Sequence, residues 1–402
     1  MALLPVADAL ARLINGVEPR PLEMVPLAEA AGRTLAEDVM ARRTQPPFDA
    51  SAMDGYAVRA QDVERLPRTL TIVGQAPAGH PFAGTLKPDE AVRIFTGAPL
   101  PEGADTVVIQ ENTVARGASV EIVEFTAKGR NIRRRGLDFS EGETLLEKGR
   151  VLDPAALSLA AAGNNAELPV VSRPLVAIIA TGDELLPPGH EPGPGQIIAS
   201  NGYGVAAIAA ESGARVMDLG IAPDKPDVIS GLVREALEAG ANVLVTLGGA
   251  SVGDHDLIHE VLTGEGMTLD FWKIAMRPGK PLMFGRLGNT LCLGLPGNPV
   301  ASLICSHLFL KPLLARLGGR NWSDRLLDAQ LETAVPANDL RQDYVRAIAR
   351  RTPGGLTARA FEVQDSSMLK SLARANALIV REPFAPAVEA GGMCRIIPLR
   401  DL

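Results

Sequence analysis

The sequence contains few of the residues that mark a disulfide-rich, nucleic-acid-binding or membrane protein. It has three cysteines in 402 residues, far apart and in apolar surroundings, so it predicts neither a disulfide framework nor a CxxC metal site. Aromatic residues make up 4% and the net charge is -7, which argues against base-stacking platforms and against general nucleic-acid binding. No apolar run is long enough to span a bilayer.

The N-terminal residues 1–5 lack a basic segment followed by a long apolar core, so we expect no signal peptide. Together with the scarcity of cysteine, this predicts a cytoplasmic protein. A hydrophobic content of 46% and a charged content of 22% are typical of a soluble globular protein. The chain is too long for one core, so we expect roughly two to four domains.

Strand and helix patterns alternate from residue 174 to about residue 316, which predicts a doubly wound α/β domain. The predicted strands cover 175–180, 215–219, 242–245 and 291–295. The predicted helices cover 202–212, 226–239, 257–262 and 300–314. Ligands of such sheets bind outside the carboxyl ends of the strands, so the residues that follow each strand are candidates for a site.

Four acidic residues stand just after predicted strands of this sheet: Glu184, Asp224, Asp254 and Asp256. Carboxylates in that position can hold a divalent cation between the protein and a phosphate. The alternative for Asp254 and Asp256 is that they only cap the helix that follows. Because all four acids follow strands of the same predicted sheet, their placement favours a shared binding site.

A glycine-rich stretch, 246–256, joins the strand at 242–245 to the helix at 257–262. Its glycines allow a ligand to approach the backbone, and the N–H groups at a helix start favour an anion. The alternative is that the glycine pair only forms a tight turn. In this stretch we predict that Gly248, Gly249 and Ser251 bind ligand. We predict the same for Thr181, which follows the strand at 175–180.

Basic residues follow at Lys273, Arg277 and Lys280, in a segment that the pattern predicts to be a strand ending in a loop before Pro278. If they face the acidic loops, they form a polar cleft that can hold phosphate with its metal. The alternative is that they are solvated surface charges. The turn that contains Pro296 and Asn298 follows the last strand, and its alternative role is helix capping alone.

Short β-type runs flank the α/β region on both sides. Those between about 69 and 135 predict a small barrel or sandwich inserted in the N-terminal region, and those from about 320 onward predict a small barrel. Helices are predicted at 6–15 and 153–163. The arginines at 133–135 either lie on a solvated surface or clamp an anion.

Seven motifs, in order along nearly the whole chain, resemble those of the molybdopterin molybdenumtransferase family, which includes MoeA and the gephyrin E domain. They are PFDASAMDGYAV at 47–58, TGAP at 96–99, RGLD at 135–138, TGDEL at 181–185, GGASVGD at 248–254, RPGKP at 277–281 and LPGNP at 295–299. The set is specific, although each motif alone is weak. One departure is Arg277, at a position where lysine is frequent in the family. A planar guanidinium group there replaces the compact charge of an ammonium group.

The resemblance implies four domains. Domain I comprises 1–44 and 136–173, and 45–135 form an inserted β domain II. Domain III, at 174–318, is a molybdopterin-binding, MogA-like α/β domain, and 319–402 form the β-barrel domain IV. The resemblance also implies a homodimer whose active cleft lies between the α/β domain of one subunit and the N-terminal β domain of the other.

The implied reaction is magnesium-dependent insertion of molybdenum from molybdate into adenylylated molybdopterin, with release of AMP. The alternatives are a molybdopterin adenylyltransferase and a gephyrin-like scaffold. Implied partners are the adenylyltransferase and downstream cofactor enzymes, in transient contact, with no nucleic acid and no membrane.

Carried over residue by residue, the resemblance assigns a catalytic role to Asp54, Asp138, Glu184, Asp224 and Asp256. Of these, Glu184, Asp224 and Asp256 are the expected magnesium ligands. The expected substrate-binding residues are Thr96, Arg133, Thr181, Gly248, Gly249, Ser251, Asp254, Lys273, Arg277, Lys280, Pro296 and Asn298. The serines near Ser367 receive no role.

Overall fold

A computed structural model describes residues 3–248, 257–323 and 326–402. The chain divides into two compact units. The first, which we call the sheet-and-barrel unit, runs to Glu23, takes in Gly32–Ala36 and continues from Val171 to Leu402. The second, the N-terminal β unit, comprises Met24–Ala31 and Glu37–Val170.

The regular elements of the first 171 residues are short. The helices are α1 (Val6–Ile14) and α2 (Pro154–Ala162), with 3-10 turns at Leu27–Glu29, Ala60–Val63 and Gln110–Asn112. The strands are β1 (Leu22–Pro26), β2 (Val39–Met40), β3 (Ala50–Ser51), β4 (Gly55–Val58), β5 (Arg68–Ala76), β6 (Glu90–Ile94), β7 (Thr106–Ile109), β8 (Thr113–Arg116), β9 (Ser119–Ile122), β10 (Ile132–Arg133), β11 (Thr144–Leu146) and β12 (Glu167–Val171).

From residue 175 to residue 317, strands and helices alternate. The strands are β13 (Leu175–Thr181), β14 (Leu185–Leu186), β15 (Ile197–Ile198), β16 (Arg215–Ala222), β17 (Val243–Leu247), β18 (Thr268–Phe271), β19 (Met276–Arg277), β20 (Met283–Leu287) and β21 (Thr290–Leu295). The helices are α3 (Asn201–Glu211), α4 (Pro226–Glu238), α5 (Leu257–Gly264), α6 (Pro299–Cys305) and α7 (Lys311–Leu317), with a π segment at Ser306–Leu310.

The C-terminal elements are mainly strands. They are β22 (Leu327–Leu331), β23 (Gln342–Thr352), β24 (Gly355–Ala360), β25 (Ala377–Arg381) and β26 (Met393–Pro398), with helix α8 (Leu369–Arg374) before β25. The helices predicted at 6–15 and 153–163, and the strands and helices predicted at 175–262 and 291–314, are confirmed to within a few residues at their ends.

Six strands form the central sheet of the sheet-and-barrel unit, in the order β16-β13-β17-β21-β20-β18. The first four are parallel, and β20 and β18 are antiparallel to their neighbours. Every residue of β17 is buried, as expected for a parallel strand covered on both faces. The carboxyl ends of four parallel strands therefore lie side by side at one edge.

Two apolar cores cover the two faces of this sheet. Val243 and Val245 of β17 pack on one side with residues of α1, α3, α6 and α7. Leu244, between them, packs on the other side with residues of α4 and α5. Successive residues of a strand point to opposite faces, so an unbroken apolar run supplies both cores. The prediction of a doubly wound α/β domain is confirmed.

The helical region predicted at 300–314 is confirmed, but it contains an irregularity. α6 and α7 are joined by the π segment, and Pro312 is the second residue of α7. Proline has no N–H and its ring crowds the carbonyl one turn earlier, so a widened turn before Pro312 avoids both problems. The stretch Pro299–Leu317 is apolar enough to cross a membrane by length and composition, yet 78% of it is buried inside the protein, as in a core helix.

The C-terminal strands close into a five-stranded barrel. β23 pairs with both β24 and β25, and the circle is completed through β22 and β26. The interior includes Ala347, Ala349 and Ala358, small side chains that suit a narrow barrel. Leu378 and Val380, on the outside of β25, join the core of the α/β sheet. The predicted C-terminal barrel is confirmed.

The N-terminal β unit is built on one six-stranded sheet, in the order β7-β4-β6-β5-β9-β8. Only the β5–β6 pair is parallel among the pairings of this sheet in the described residues. Apolar cores lie against both faces, one with Tyr56 and Val58 and the other with Ala57 and Val92. The region predicted to be β is therefore β, but it forms one sheet with edges at β7 and β8 rather than the predicted small barrel or sandwich.

Candidate active site

The loops after the four parallel strands are fastened to one another at the carboxyl edge of the central sheet. The backbone N–H of Gly182, after β13, donates to the carbonyl of Ala222, which ends β16, over 3.2 Å. The N–H of Gly248, after β17, donates to the carbonyl of Leu295, which ends β21, over 3.4 Å. The candidate residues of these loops are therefore held on one fixed edge.

Two of the predicted acids, Glu184 and Asp224, meet at this edge. The backbone N–H of Asp224 donates to Oδ1 of Asp183 over 3.0 Å, and the Glu184 carboxylate folds back over Gly182. Glu184 and Asp224 are both exposed. Desolvation by neighbouring groups raises the pKa of Asp224, the charges of Asp183 and Glu184 raise it further, and a backbone hydrogen bond from Asp183 opposes the shift. Mutual repulsion of carboxylates favours a proton or a cation between them.

Gly248 is required by the backbone next to this acidic group. Its φ is +92°, and an added Cβ would lie 2.6 Å from the carbonyl oxygen of Thr181. Thr181 itself is 4% exposed, and its Oγ1 has no hydrogen-bond partner in the described part of the chain. The same is true of Oγ1 of Thr246, which is 1% exposed. Two threonine hydroxyls near this edge are therefore buried without a hydrogen-bond partner in the described residues.

The turn after β21 joins the edge to the barrel. The side chain of Asn201, at the start of α3, donates to the carbonyl of Gly297 over 2.7 Å. Asn298 Nδ2 donates to Oγ of Ser366 over 3.0 Å, and the N–H of Val300 donates to the carbonyl of Ser366 over 3.2 Å. Pro296 and Asn298 thus lie at the edge, as predicted, with a loop from the barrel beside them.

The loop that carries Ser366 is held by a buried arginine. Arg346 is 1% exposed, and its Nε donates to Oε1 of Gln364 over 3.1 Å while Nη1 donates to the carbonyl of Asp365 over 2.9 Å. Sequence reasoning assigned no role to Ser366 or Arg346. The only available indication was an arginine inside an apolar β run, which does not reveal which loop it will hold.

The three basic residues do not share one environment. The Nε of Arg277 donates to Asp343 over 3.1 Å, and its Nη1 donates to Asp339 over 3.4 Å, so two barrel carboxylates bind this guanidinium. Lys273 lies over the ring of Trp272, 5.6 Å from its centroid, and the carbonyl of Lys280 accepts from Ile274 and Leu282. The predicted strand before Pro278 is present only in part, because β18 ends at Phe271 and the strand that ends at Arg277, β19, has two residues and pairs with barrel strand β23.

Four predicted site residues lie outside the described residues: Gly249, Ser251, Asp254 and Asp256. The expected grouping of Asp256 with Glu184 and Asp224 therefore stays a prediction. Within 3–248, 257–323 and 326–402, no three His, Cys, Asp or Glu side chains are arranged to hold a metal ion.

In the N-terminal β unit, Asp54 and Thr96 are brought into direct contact. Oδ1 of Asp54 accepts hydrogen bonds from both the N–H and the Oγ1 of Thr96, each over 2.8 Å. These bonds hold the pKa of Asp54 below its usual value, and the charge of Arg93 adds to the effect. Asp54 is thus kept ionised and oriented. The residue after Asp54 must be glycine, because an added Cβ on Gly55 would overlap the carbonyl of Val108.

The remaining N-terminal candidates lie on strands and loops attached to the same region. Arg133 of β10 pairs with Ala50 of β3, and the N–H of Asp138 donates to the carbonyl of Gln45 over 3.0 Å. Both side chains are exposed. Sequence reasoning missed Arg93, whose guanidinium lies 5.0 Å from the ring centroid of Tyr56 and 5.1 Å from that of Phe95.

Comparison with known families matches three consecutive segments of the chain. Residues 4–163 match the MoeA N-terminal region (domain I and II), 177–316 match a probable molybdopterin-binding domain, and 328–399 match the MoeA C-terminal region (domain IV).

Curated relatives match over nearly the full length. The molybdopterin molybdenumtransferase of Haemophilus influenzae is 35% identical over 391 residues, covering 96% of this chain and 95% of the relative. The molybdopterin molybdenumtransferase of Bacillus subtilis is 35% identical over 407 residues, covering 99% of this chain and 94% of the relative.

Solved structures agree. Crystal structures of the molybdopterin biosynthesis MoeA protein from Pyrococcus horikoshii superpose with TM-scores of 0.85 and 0.82, at 29% and 27% identity. They cover 100% and 99% of this chain, and the chain covers 100% of each.

Proposed function

This chain belongs to the molybdopterin molybdenumtransferase family and acts in molybdenum cofactor biosynthesis, and we propose that it inserts molybdenum from molybdate into adenylylated molybdopterin at the carboxyl edge of its central sheet, with release of AMP. The observation that supports this location is the meeting of Glu184 and Asp224 beside Gly248 and Asn298. Four parallel strands supply these residues, and such edges are where open α/β sheets bind ligands.

The residues at the edge suit an anionic, hydroxyl-bearing substrate. The hydroxyl of Thr181 is buried without a partner among the described residues, so it can hydrogen-bond a bound pterin or phosphate. Asn298 and Ser366 present an amide and a hydroxyl from the other side of the edge. These groups orient the substrate by hydrogen bonding.

We propose that Glu184, Asp224 and Asp256 hold Mg²⁺ together with phosphate oxygens of the substrate. The two described carboxylates fit the ion, because Mg²⁺ prefers oxygen ligands and often takes one or two carboxylates plus phosphates. Desolvation by neighbouring groups and the charges of Asp183 and Glu184 raise the pKa of Asp224, and a bound cation would offset this repulsion. Bound Mg²⁺ would neutralise negative charge at the phosphoanhydride. The chain's own contribution is to fix both carboxylates at one edge.

The basic residues complete the proposal for an anionic substrate. Lys273 and Lys280 are proposed to bind substrate oxyanions as point charges. Arg277 is bound by Asp343 and Asp339, so a ligand would have to share its guanidinium with these acids. We therefore assign the direct contact to the lysines first.

We propose a homodimer in which Asp54, Thr96, Arg133 and Asp138 of one subunit complete the site of the other. The support is that the N-terminal β unit carries its own polar surface, with an ionised Asp54 oriented by Thr96 and an exposed Arg133. Exposed polar groups of this kind are better suited to bind the polar part of a substrate than to pack in an apolar core.

The alternatives are less well supported. The named curated relatives are molybdenumtransferases, which does not favour an adenylyltransferase or a gephyrin-like scaffold. We propose a cytoplasmic enzyme in transient contact with the adenylyltransferase and with downstream cofactor enzymes. Nucleic acid and membrane are not proposed as partners, given a net charge of -7.

The proposed site is tested with Glu184→Gln and Asp224→Asn, which keep shape and remove charge. With pure adenylylated molybdopterin, molybdate and Mg²⁺, both variants should lose AMP release and molybdenum insertion by about 100-fold or more, while thermal unfolding stays unchanged. Glu235→Gln and Asp227→Asn, exposed acids on α4, are the matched controls. Wild-type rates in the first pair would refute the site.

The dimer is tested by mixing two inactive variants. Asp54→Asn and Asp224→Asn subunits, co-expressed, should form one intact site per mixed dimer if the two residues act across subunits. Recovery of activity in the mixture supports the shared cleft. A mixture as inactive as its parents, with mixed dimers shown by native mass spectrometry, contradicts it.

A further inference from the structure

A cleft of about 390 Å³ lies on the outer wall of the barrel, beside strands β23 and β24 and helix α8. Ile348 and Arg359 face each other across the β23–β24 pair. Their strand neighbours, Ala347, Ala349 and Ala358, fill the barrel core. Because side chains alternate along a strand, Arg350 and Arg359 stand on the outside, where they line the cleft.

Three arginines line this cleft: Arg350, Arg359 and Arg374. All three side chains are exposed. Among the residues that the structure describes, none of the three guanidinium groups forms an ion pair or a hydrogen bond with another residue. Their planar N–H groups are thus available to an external acceptor, and guanidinium groups match the oxygens of phosphate in pairs.

One of these arginines is already positioned. The guanidinium carbon of Arg374 lies 5.9 Å from the ring centroid of Phe361, over its face. Phe361 is fixed in turn, because its N–H donates to the carbonyl of the buried Arg346 over 3.0 Å. The side of the cleft formed by α8 therefore presents a cation in contact with an aromatic ring.

Two carboxylates restrict the ligand. Glu332 and Glu362 also line the cleft, so the three arginines leave a single excess positive charge. Glu332 accepts from Oγ1 of Thr357 over 2.7 Å, which holds one carboxylate in place. A bare polyanion is repelled by these acids, whereas a ligand with hydroxyl groups can donate hydrogen bonds to them.

We propose that this cleft binds a phosphate monoester that carries hydroxyl groups, in the chemical class of sugar phosphates and mononucleotides. The arginines take the phosphate and the glutamates take the hydroxyls. The volume is in the range of small-molecule sites, about 300–1,000 Å³. This site lies on the barrel wall, and ligand binding there does not depend on the proposed reaction.

Calorimetric titration of the full chain with ribose 5-phosphate, inorganic phosphate and ribose tests the proposal. Ribose 5-phosphate should bind, inorganic phosphate should bind more weakly, and ribose should not bind measurably. Arg359→Ala and Arg374→Ala should each weaken ribose 5-phosphate binding by roughly tenfold. Arg359→Lys should retain part of the affinity, because charge remains while the fork is lost.

Arg351→Ala is the matched control, since Arg351 neighbours Arg350 in β23 but donates to the C-terminal residue Leu402 over 3.2 Å. It should bind ribose 5-phosphate as the wild type does. Asp224→Asn, at the sheet edge, should also bind normally, which separates this site from the proposed active site. The proposal is overturned if ribose 5-phosphate fails to bind the wild type, or if Arg359→Ala binds it unchanged.

Discussion

Asn298 and Ser366 are 68 positions apart, and their side chains are joined by a hydrogen bond of 3.0 Å from Nδ2 to Oγ. The first residue belongs to the turn after β21 and the second to a loop of the barrel. A backbone bond from Val300 to the carbonyl of Ser366 runs beside it. The barrel therefore contributes a loop to the edge of the sheet.

We expect Ser366→Ala to lower the free energy of unfolding by about 1 kcal/mol or less, since one partly exposed hydrogen bond is lost. Molybdenum insertion should fall further than this loss explains, because the loop also borders the proposed substrate. Urea unfolding and the insertion assay, performed on the same preparation, compare the two effects.

Ser367→Ala is the control for Ser366→Ala. Its hydroxyl bonds to Asp365 of its own loop over 2.6 Å rather than to the sheet edge. Insertion should therefore be nearly normal in this variant. If Ser367→Ala lowers insertion as much as Ser366→Ala does, the edge contact is not the reason for the effect.

Gly248→Ala should be destabilising and inactive. The residue has φ of +92°, and the new Cβ would lie 2.6 Å from the Thr181 carbonyl, so the chain must shift. A cost of about 1–3 kcal/mol in unfolding free energy follows from strain of this kind. Thermal unfolding and the insertion assay measure both consequences.

The comparison variant is Gly231→Ala. Gly231 lies inside helix α4, and an added Cβ there meets open space. This change should raise stability by about 0.5–1 kcal/mol, because alanine favours the helix. Equal behaviour of the two variants would mean that Gly248 has no special backbone role.

Arg277→Ala should weaken the attachment of the barrel to the loop that contains β19. The arginine is bound by Asp343 and Asp339, with its side chain 45% exposed and that of Asp343 16% exposed. Because of this exposure, we expect a loss of only about 1 kcal/mol in urea unfolding. A double-mutant cycle with Asp343→Asn should show a coupling energy, and strictly additive losses would contradict the pairing.

Much of the fold followed from local patterns. The apolar runs at 175–180 and 243–245 indicated buried strands, and the sheet has them as neighbouring strands β13 and β17. Parallel strands end at one edge, so Glu184 and Asp224 were expected to lie near each other there, and the charge of Glu184 does act on Asp224. Their role as magnesium ligands stays a prediction. These conclusions needed only period and connection rules.

Other features depend on contacts that no local pattern contains. Ser366 is brought to Asn298 by a buried Arg346, and Arg277 is bound by barrel acids 62 and 66 positions away. Each pairing is decided by how the barrel packs on the sheet, which residue types and spacing do not determine. Nothing in the sequence therefore indicated that Arg277, in the RPGKP motif, is paired with these acids.

We expect His307 to make the stability of the protein depend on pH. It lies in the π segment Ser306–Leu310, where burial lowers its pKa to about 4, with a further contribution from the charge of Lys311. The unfolded chain, with a histidine pKa of about 6.5, binds the proton more readily than the folded one. Stability from this group is therefore present above about pH 6.5 and is lost as pH falls toward about 4, by about 3 kcal/mol at most.

Urea unfolding of the wild type and of His307→Gln, from about pH 7 to about pH 5, measures this contribution. Carboxylates also titrate near the lower end, so the two proteins are compared by slope rather than by absolute stability. The wild type should lose stability more steeply than the variant, because glutamine takes up no proton. Parallel slopes in the two proteins would show that His307 is protonated as readily in the folded chain as in the unfolded one.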